Sequence, residues 1–411
     1  MPAADHALRQ PRAFDRRWIV LAGAFLAFAV SASLMHAYTV FLVEFVERFR
    51  WSRADTSFAY AVSQFVGGVS SPLVGVLVDR LGPRRLVLIG GGLLVVGLVG
   101  AAQASELWQV VLLYGVVMTL GANCLGLVVF VPLLSRVFAD RRGMAISVVQ
   151  SANGIARGIS APMAQLLIDG VGWRAAYGVQ AAAMAVLVLP LAAFFRRPEA
   201  SDAPGGAHIT AAPVRDWTLG AAMRTRQFWL LVVVYMCTGL GSFLVSLHQV
   251  AFAVDQGFDK LQAAWVLGMG SVLAIPGTIL TGTISDWIGR EMAAILAYWI
   301  SILGVVAALF ISGPGDIWLL WLHACLFGLT WGARGPAITA KTADLFGGRQ
   351  LGTIVGVITI GSGAGAALGS WAAGFTFDVS GSYRVAFLLS IASYLCGCVA
   401  FWMLRSPPAQ R

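Results

Sequence analysis

Long apolar runs, each about the length of a bilayer crossing, alternate along this chain with short polar turns. A membrane core needs about 20 apolar residues per helix. Segments that meet this begin near Trp18, Thr56, Leu86, Leu107, Gly143 and Ala175, and a second set begins near Gln227, Gln262, Glu291, Ile317, Leu351 and Tyr383. The pattern predicts an all-α membrane protein of twelve transmembrane helices in two six-helix bundles. The halves are expected at 1–195 and 227–411. The stretch 196–226 between them, with Pro-Glu-Ala-Ser-Asp-Ala-Pro-Gly-Gly and several charges, reads as a cytoplasmic linker.

The two sets repeat one another. Gly75-Val-Leu-Val-Asp79-Arg80-Leu-Gly82-Pro83-Arg84-Arg85 returns as Gly282-Thr-Ile-Ser-Asp286-Trp-Ile-Gly289-Arg290, each copy ending one apolar run and starting the next. At the same offset, Gly154, Gly158 and Pro162 fall opposite Gly361, Gly365 and Gly369; slightly downstream, Asp169 to Tyr177 is echoed by Asp378 to Phe387. Duplicated membrane halves are a recurrent transporter architecture.

Composition sharpens this picture. Of 411 residues, 58% are hydrophobic and 11% charged, and the mean hydropathy is +0.80. A soluble domain with that balance would have an unsolvated surface. The net charge of +9 does not indicate nucleic acid, because the basic residues lie in short loops, where they act as topology signals. Arginines gather in alternate loops: Arg9 to Arg17, Arg80 to Arg85, Arg136 to Arg142, the linker, Arg290, Arg349 and Arg405. The positive-inside rule therefore sets both termini and the linker in the cytoplasm and the protein in the cytoplasmic (inner) membrane. Trp18, Trp51, Trp108, Trp173, Trp287 and Trp318 near segment ends read as an interfacial belt. The five cysteines lie inside apolar runs and suggest neither disulfides nor a metal site. No cofactor is expected, membrane lipids are the surrounding partner, and the chain reads as a monomer. The first apolar run reads as a retained helix and not a signal peptide.

The doubled Gly-x-x-x-Asp-x-x-Gly stretch resembles the signature loops of the major facilitator superfamily. This resemblance implies that Asp79, Arg80, Gly82, Arg84, Asp286, Gly289 and Arg290 govern conformation. Gly82-Pro83-Arg84, Tyr38-Thr-Val-Phe41, Arg142-Gly143-Met-Ala, Gly172-Trp-Arg174 and Gly381-Ser-Tyr383-Arg-Val-Ala-Phe387 look like the branch of monocarboxylate transporters and oxalate–formate exchangers. That likeness implies carboxylate transport by alternating access. Thr278 stands where branch members commonly carry an arginine, and the acidic-glycine-tryptophan motif of animal members is absent from the first helix. Any cationic role must therefore fall to other residues.

Two arginines deep in apolar runs fill that need. An ionised arginine at a helix centre costs about 2.5–3.5 kcal/mol on insertion scales, so it faces a cavity or a partner. Arg157 and Arg334 have no arginine at the matching repeat positions, as an asymmetric ligand would require. No Asp or Glu occupies the middle of any segment, so these guanidiniums call for an anion from outside, and a carboxylate matches their fork. His36 and His248, at similar places in their halves, could bind the anion or carry a proton. Asn123, Tyr38, Asn153 and Trp331 complete the candidate substrate site, with Gln150 and Gln249 weaker; Asn123 reads equally as a bond between helices. His323 reads as structural.

These residues point to a transporter of a small organic anion, coupled to protons, and not to an enzyme. Dicarboxylate or anion exchange and efflux of hydrophobic compounds stand as alternatives. Two guanidiniums would suit a dicarboxylate, and one with a histidine would suit a monocarboxylate.

Overall fold

Glycines at positive φ turn the chain where the repeated stretches place them. Gly82 (φ 80°, ψ 161°) and Gly289 (φ 89°, ψ 155°) adopt nearly the same backbone conformation between their flanking helices, and Gly172 (φ 81°) does so further on. A side chain is strained in that region of φ, so glycine is what lets one helix stop and the next start within a residue. The two copies of the repeat are thus one turn used twice.

The computed structural model describes residues 16–138, 142–195, 217–346 and 350–404, which are helical with short connections. In chain order the first half comprises α1 (Arg17–Phe49), α2 (Arg53–Leu81), α3 (Pro83–Ala102), α4 (Leu107–Leu134), α5 (Arg142–Val171) and α6 (Trp173–Phe194). The second comprises α7 (Arg226–Asp255), α8 (Lys260–Thr281, continuing to Ile288), α9 (Arg290–Leu309), α10 (Ile317–Thr330 and Arg334–Leu345), α11 (Leu351–Ser380) and α12 (Arg384–Trp402). Most of the stretch expected as the linker lies outside the described residues, as do the termini. Ten of the described helices are long and apolar enough to cross a membrane. The other two are α5 and α10, which hold Gln150, Asn153 and Arg157 in one case, and a break before Arg334 in the other. The features that make these two helices less membrane-like are the ones that single out the candidate site.

Large apolar side chains such as Phe65, Leu73, Val186, Ile279 and Phe310 are exposed around the bundle, as a lipid-facing surface requires. Within the first half, Tyr38 stacks on Tyr114 with ring centroids 4.1 Å apart, and Phe41 stacks on Tyr177 at 4.0 Å. In the second half, the glycines of α11 seat it on α7. A Cβ at Gly361 would lie 2.7 Å from the Val232 carbonyl oxygen, and one at Gly369 would lie 2.6 Å from that of Leu240. Close backbone approach of this kind is how membrane helices pack without a hydrophobic driving force.

The tryptophan belt needs one correction. Trp18, Trp108, Trp287 and Trp318 are exposed at helix ends, but Trp173 is buried. It packs edge-on against Phe45, with Arg174 over its ring at 4.3 Å, and Arg174 donates to the Ala104 carbonyl at 3.1 Å. Its neighbours supply an aromatic socket that the sequence position alone did not reveal.

The halves meet along α2 with α11 and α5 with α8. A Cβ at Gly154 would lie 2.7 Å from Ile275 Cγ1, and one at Gly268 would lie 3.2 Å from Pro162 Cδ. At the face opposite the termini, Arg53 pairs with Asp255 at 2.7 Å, and Lys260 pairs with Glu44 at 3.1 Å and Glu47 at 2.6 Å. All three pairs join the first half to the second.

Candidate substrate site

Arg157 projects from α5 between the halves. Its guanidinium carbon lies 3.3 Å from the centroid of the Trp331 ring on α10. Nη1 is buried without a hydrogen-bond partner, and no described group accepts from this guanidinium. Two small cavities adjoin it. The first, of about 30 Å³, is lined by polar groups from both halves, among them His36, Thr39, Ser160, Ser246, Gln249 and Ser271. That is room for about one water. The second, of about 10 Å³, is bounded by Phe327 and Trp331. A cation thus sits between a polar lobe and an aromatic one, in a site nearly closed.

His36 lies at the break in α1 and meets Asn153 Oδ1 at 3.1 Å through Nε2. Asn153, one turn before Arg157 on α5, is therefore engaged by the histidine and not by the arginine. Arg157, His36, Asn153 and Trp331 come together at this site. Gln150 is exposed on the same helix.

Arg334 is placed differently. It is 1% exposed and lies wholly inside the second half. Nη1 donates to Ser301 Oγ at 2.6 Å and Nη2 to Ser242 Oγ at 3.0 Å, while the guanidinium faces Tyr394 at 4.7 Å and Tyr298 at 5.1 Å. Only Nε is left without a partner. Two charge-assisted bonds and two aromatic faces compensate most of its burial. Among the described residues, the buried charged side chains are Arg334 and Lys341, with no buried Asp or Glu.

The remaining candidates stand apart from the cavity. His248 is buried at the break in α7, bonded to Ser370 and Tyr383. Tyr38 donates to the Thr56 carbonyl at 2.7 Å. Asn123 donates from Nδ2 to the Gly67 carbonyl at 2.8 Å and Ser70 Oγ at 2.6 Å, tying α4 to α2. His323 meets the Gly304 carbonyl at 2.8 Å. At the termini face, Arg80, Gly82, Arg84 and Phe195 border a recess of about 340 Å³. Arg290 pairs with Asp344 at 3.7 Å, beside a shorter Lys341–Glu291 pair at 2.6 Å. The side chains of Asp79 and Asp286 lie outside the described residues.

The sequence reading passed over Tyr60, Ser160, Ser246 and Ser271 at the cavity, and Lys341. Spacing held the signal for one of them. Ser160 follows Arg157 by three positions on α5, so the two share a helix face.

With this geometry in view, known proteins supply the relationship. Residues 19–359 match the profile of the Major Facilitator Superfamily. The chain belongs to that superfamily. It is a multi-pass membrane transporter and not an enzyme. Its relatives include monocarboxylate transporter 13 of Rattus norvegicus, 28% identical across 92% of this chain and 87% of the relative. Monocarboxylate transporter 11 of Homo sapiens is also 28% identical, across 92% of this chain and 81% of its own length. Among solved structures, the nucleoside transporter NupG superposes with a TM-score of 0.79 at 13% identity, covering 95% of this chain and all of NupG. A bacterial homologue of the lysosomal transporter Spinster, inward-facing and unoccupied, gives 0.70 at 16% identity, covering 97% of this chain and 100% of its own. These structural likenesses establish the fold.

Proposed function

We propose that this facilitator carries a small organic acid in its anionic form, a monocarboxylate, by alternating access between its halves, with a proton accompanying it. The observation that carries the proposal is the Arg157 guanidinium, stacked on Trp331 with Nη1 buried and without a hydrogen-bond partner, at a cavity between the halves. An unmade bond to a buried group costs about 1–3 kcal/mol, and more where the group is charged. A carboxylate relieves that cost with a bidentate bond. The site then loses its net charge, and the occluded state becomes accessible. The names of the relatives point to the same class of cargo. Arg334 is already held by two serines, so a single carboxylate is favoured over two. His36, Asn153 and Trp331 form the rest of the seat. The Asp-x-x-Gly loops and Arg290 govern the rocking of the segments 1–195 and 227–411, joined by 196–226. The arginine bias supports both termini inside.

Thermal-shift binding across a panel of mono- and dicarboxylates tests this, on the wild type and on Arg157→Gln. Stabilisation by monocarboxylates that disappears in Arg157→Gln is the expected result. Equal stabilisation of both proteins, or efflux of neutral apolar compounds undiminished by the substitution, would overturn it.

A further inference from the structure

The break in α7 at Leu247–His248 sends two neighbouring side chains to different places. Gln249 lines the Arg157 cavity. His248 is buried in a polar chain that joins the halves at the face opposite the termini. Its Nε2 lies 2.9 Å from the Ser370 carbonyl oxygen of α11, and its Nδ1 lies 3.2 Å from the Tyr383 hydroxyl at the start of α12. The same hydroxyl meets Nη1 of Arg53, at the start of α2 in the first half. Nη2 of Arg53 donates to Asp255 at 2.7 Å, and its guanidinium lies 4.1 Å from the Phe377 ring centroid. The Asp378 carboxylate accepts from the backbone N–H groups of Arg53 at 3.0 Å and Ala54 at 2.7 Å.

The donors in this chain fix the tautomer of the neutral histidine. A carbonyl oxygen only accepts, so the hydrogen of the imidazole sits on Nε2. Nδ1 then accepts, and its donor is the Tyr383 hydroxyl. That oxygen in turn accepts from Arg53, which has no lone pair to offer. A proton added to Nδ1 forms an N–H bond where the hydroxyl hydrogen now points. The hydroxyl must turn away, and an imidazolium then faces a guanidinium across one phenol oxygen. The charged and titratable groups facing His248 from the surrounding elements are Arg53, Asp255, Asp378 and Tyr383. The nearest of them in the chain of bonds, beyond the phenol, is the arginine.

We infer that His248 is a proton-binding site whose occupancy unfastens the first half from the second at the face opposite the termini. The inference rests on alternating access as proposed above, and it is independent of the cargo. A proton binds the separated state better than the fastened one, so by linkage acid favours separation. Because Gln249 follows directly, displacing His248 also moves the wall of the anion site.

Pulsed electron spin resonance distances test this without any cargo. Spin labels at Gln103→Cys in the first half and Gly315→Cys in the second, both exposed on this face, are introduced after replacement of the native cysteines. Lowering the pH from 8 to 6 should raise the ratio of long to short distances about threefold to fourfold, the limit for one imidazole that titrates ordinarily once the halves separate. His248→Gln retains an amide that can bond both partners but takes up no proton, and it should keep the pH 8 distribution at both values. Tyr383→Phe retains the ring packing and removes the link, and it should favour long distances at both. A pH response that survives in His248→Gln, or is abolished by Asp255→Asn alone, would overturn the inference, as would a wild type with no response. Failure of the monocarboxylate proposal would leave these distances unchanged.

Discussion

Arg157 and Arg334 each bring a guanidinium into the helix bundle, and their surroundings give them opposite parts. Arg334 has two serine acceptors and two tyrosine faces, whereas Arg157 has one indole face and a cavity. Arg157→Gln should lower monocarboxylate uptake into proteoliposomes by about 100-fold or more with little loss of thermal stability. Arg157→Lys should fall between, since an ammonium keeps the charge but loses both the fork and the flat stack on Trp331. Arg334→Gln should do the reverse in kind, lowering the melting temperature because Ser242, Ser301, Tyr298 and Tyr394 lose their common partner. Equal melting temperatures for the two variants would contradict that division. The sequence exposed both arginines, because a charge in an apolar run is conspicuous. It could not separate them, because the serines that satisfy Arg334 stand 33 and 92 residues away. Nor could it separate His36 from His248: both lie at helix breaks, and only the packing shows that one faces the cavity and the other the seam between halves.

At the level of helices, apolar length located the spans and the repeated glycines located the turns. The interruptions within α1 and α7 were hidden, because no proline stands at or just after Ala37 or Leu247–His248 to announce them. Tertiary contacts gather at these positions, such as the His36–Asn153 bond across to α5. The glycine stripe of α11 makes a clear prediction. Gly369→Leu places side-chain carbon where the Leu240 carbonyl now lies, so α11 should fail to seat on α7. Monodisperse protein on size-exclusion chromatography should drop severalfold, while Gly356→Ala, where no atom lies within 4 Å of the added carbon, should leave it unchanged. Asn123→Leu offers a contrast. Interhelical bonds in membranes average about 0.6 kcal/mol, so this variant should remain folded and keep monocarboxylate binding, as measured by thermal shift.

For the whole molecule, the ion pairs at the face opposite the termini set how firmly the halves are closed there. The Lys260 pairs are partly exposed, and such pairs contribute about 0–1 kcal/mol each. Lys260→Glu replaces two attractions with two repulsions from Glu44 and Glu47. It should shift the balance toward separation at that face severalfold, read as longer distances between labels in the 103 and 315 loops at every pH. High salt should weaken the effect, since exposed charges are screened. No change in distance would mean that the Arg53 contacts and the packing of α2 on α11 keep this face shut without Lys260. Duplication was legible in the sequence as a repeat, and it predicted two like halves. Which face is sealed depends on side chains from Glu44, Arg53, Asp255 and Lys260 meeting across the divide, and nothing in their spacing announces that.

The crossing of α5 over α8 has a mechanical consequence. A Cβ at Gly268 would run into the Gly158 carbonyl oxygen, and one at Gly158 would meet Val272 and then the Gly268 carbonyl oxygen, so the two backbones pass in close contact, one residue from Arg157. Under the alternating access proposed above, a joint that tight would admit rotation but almost no translation, and so would serve as the axle. Cargo seated beside an axle travels little while the distant rims swing widely, so the anion would remain nearly still as the protein changes the side from which it can leave.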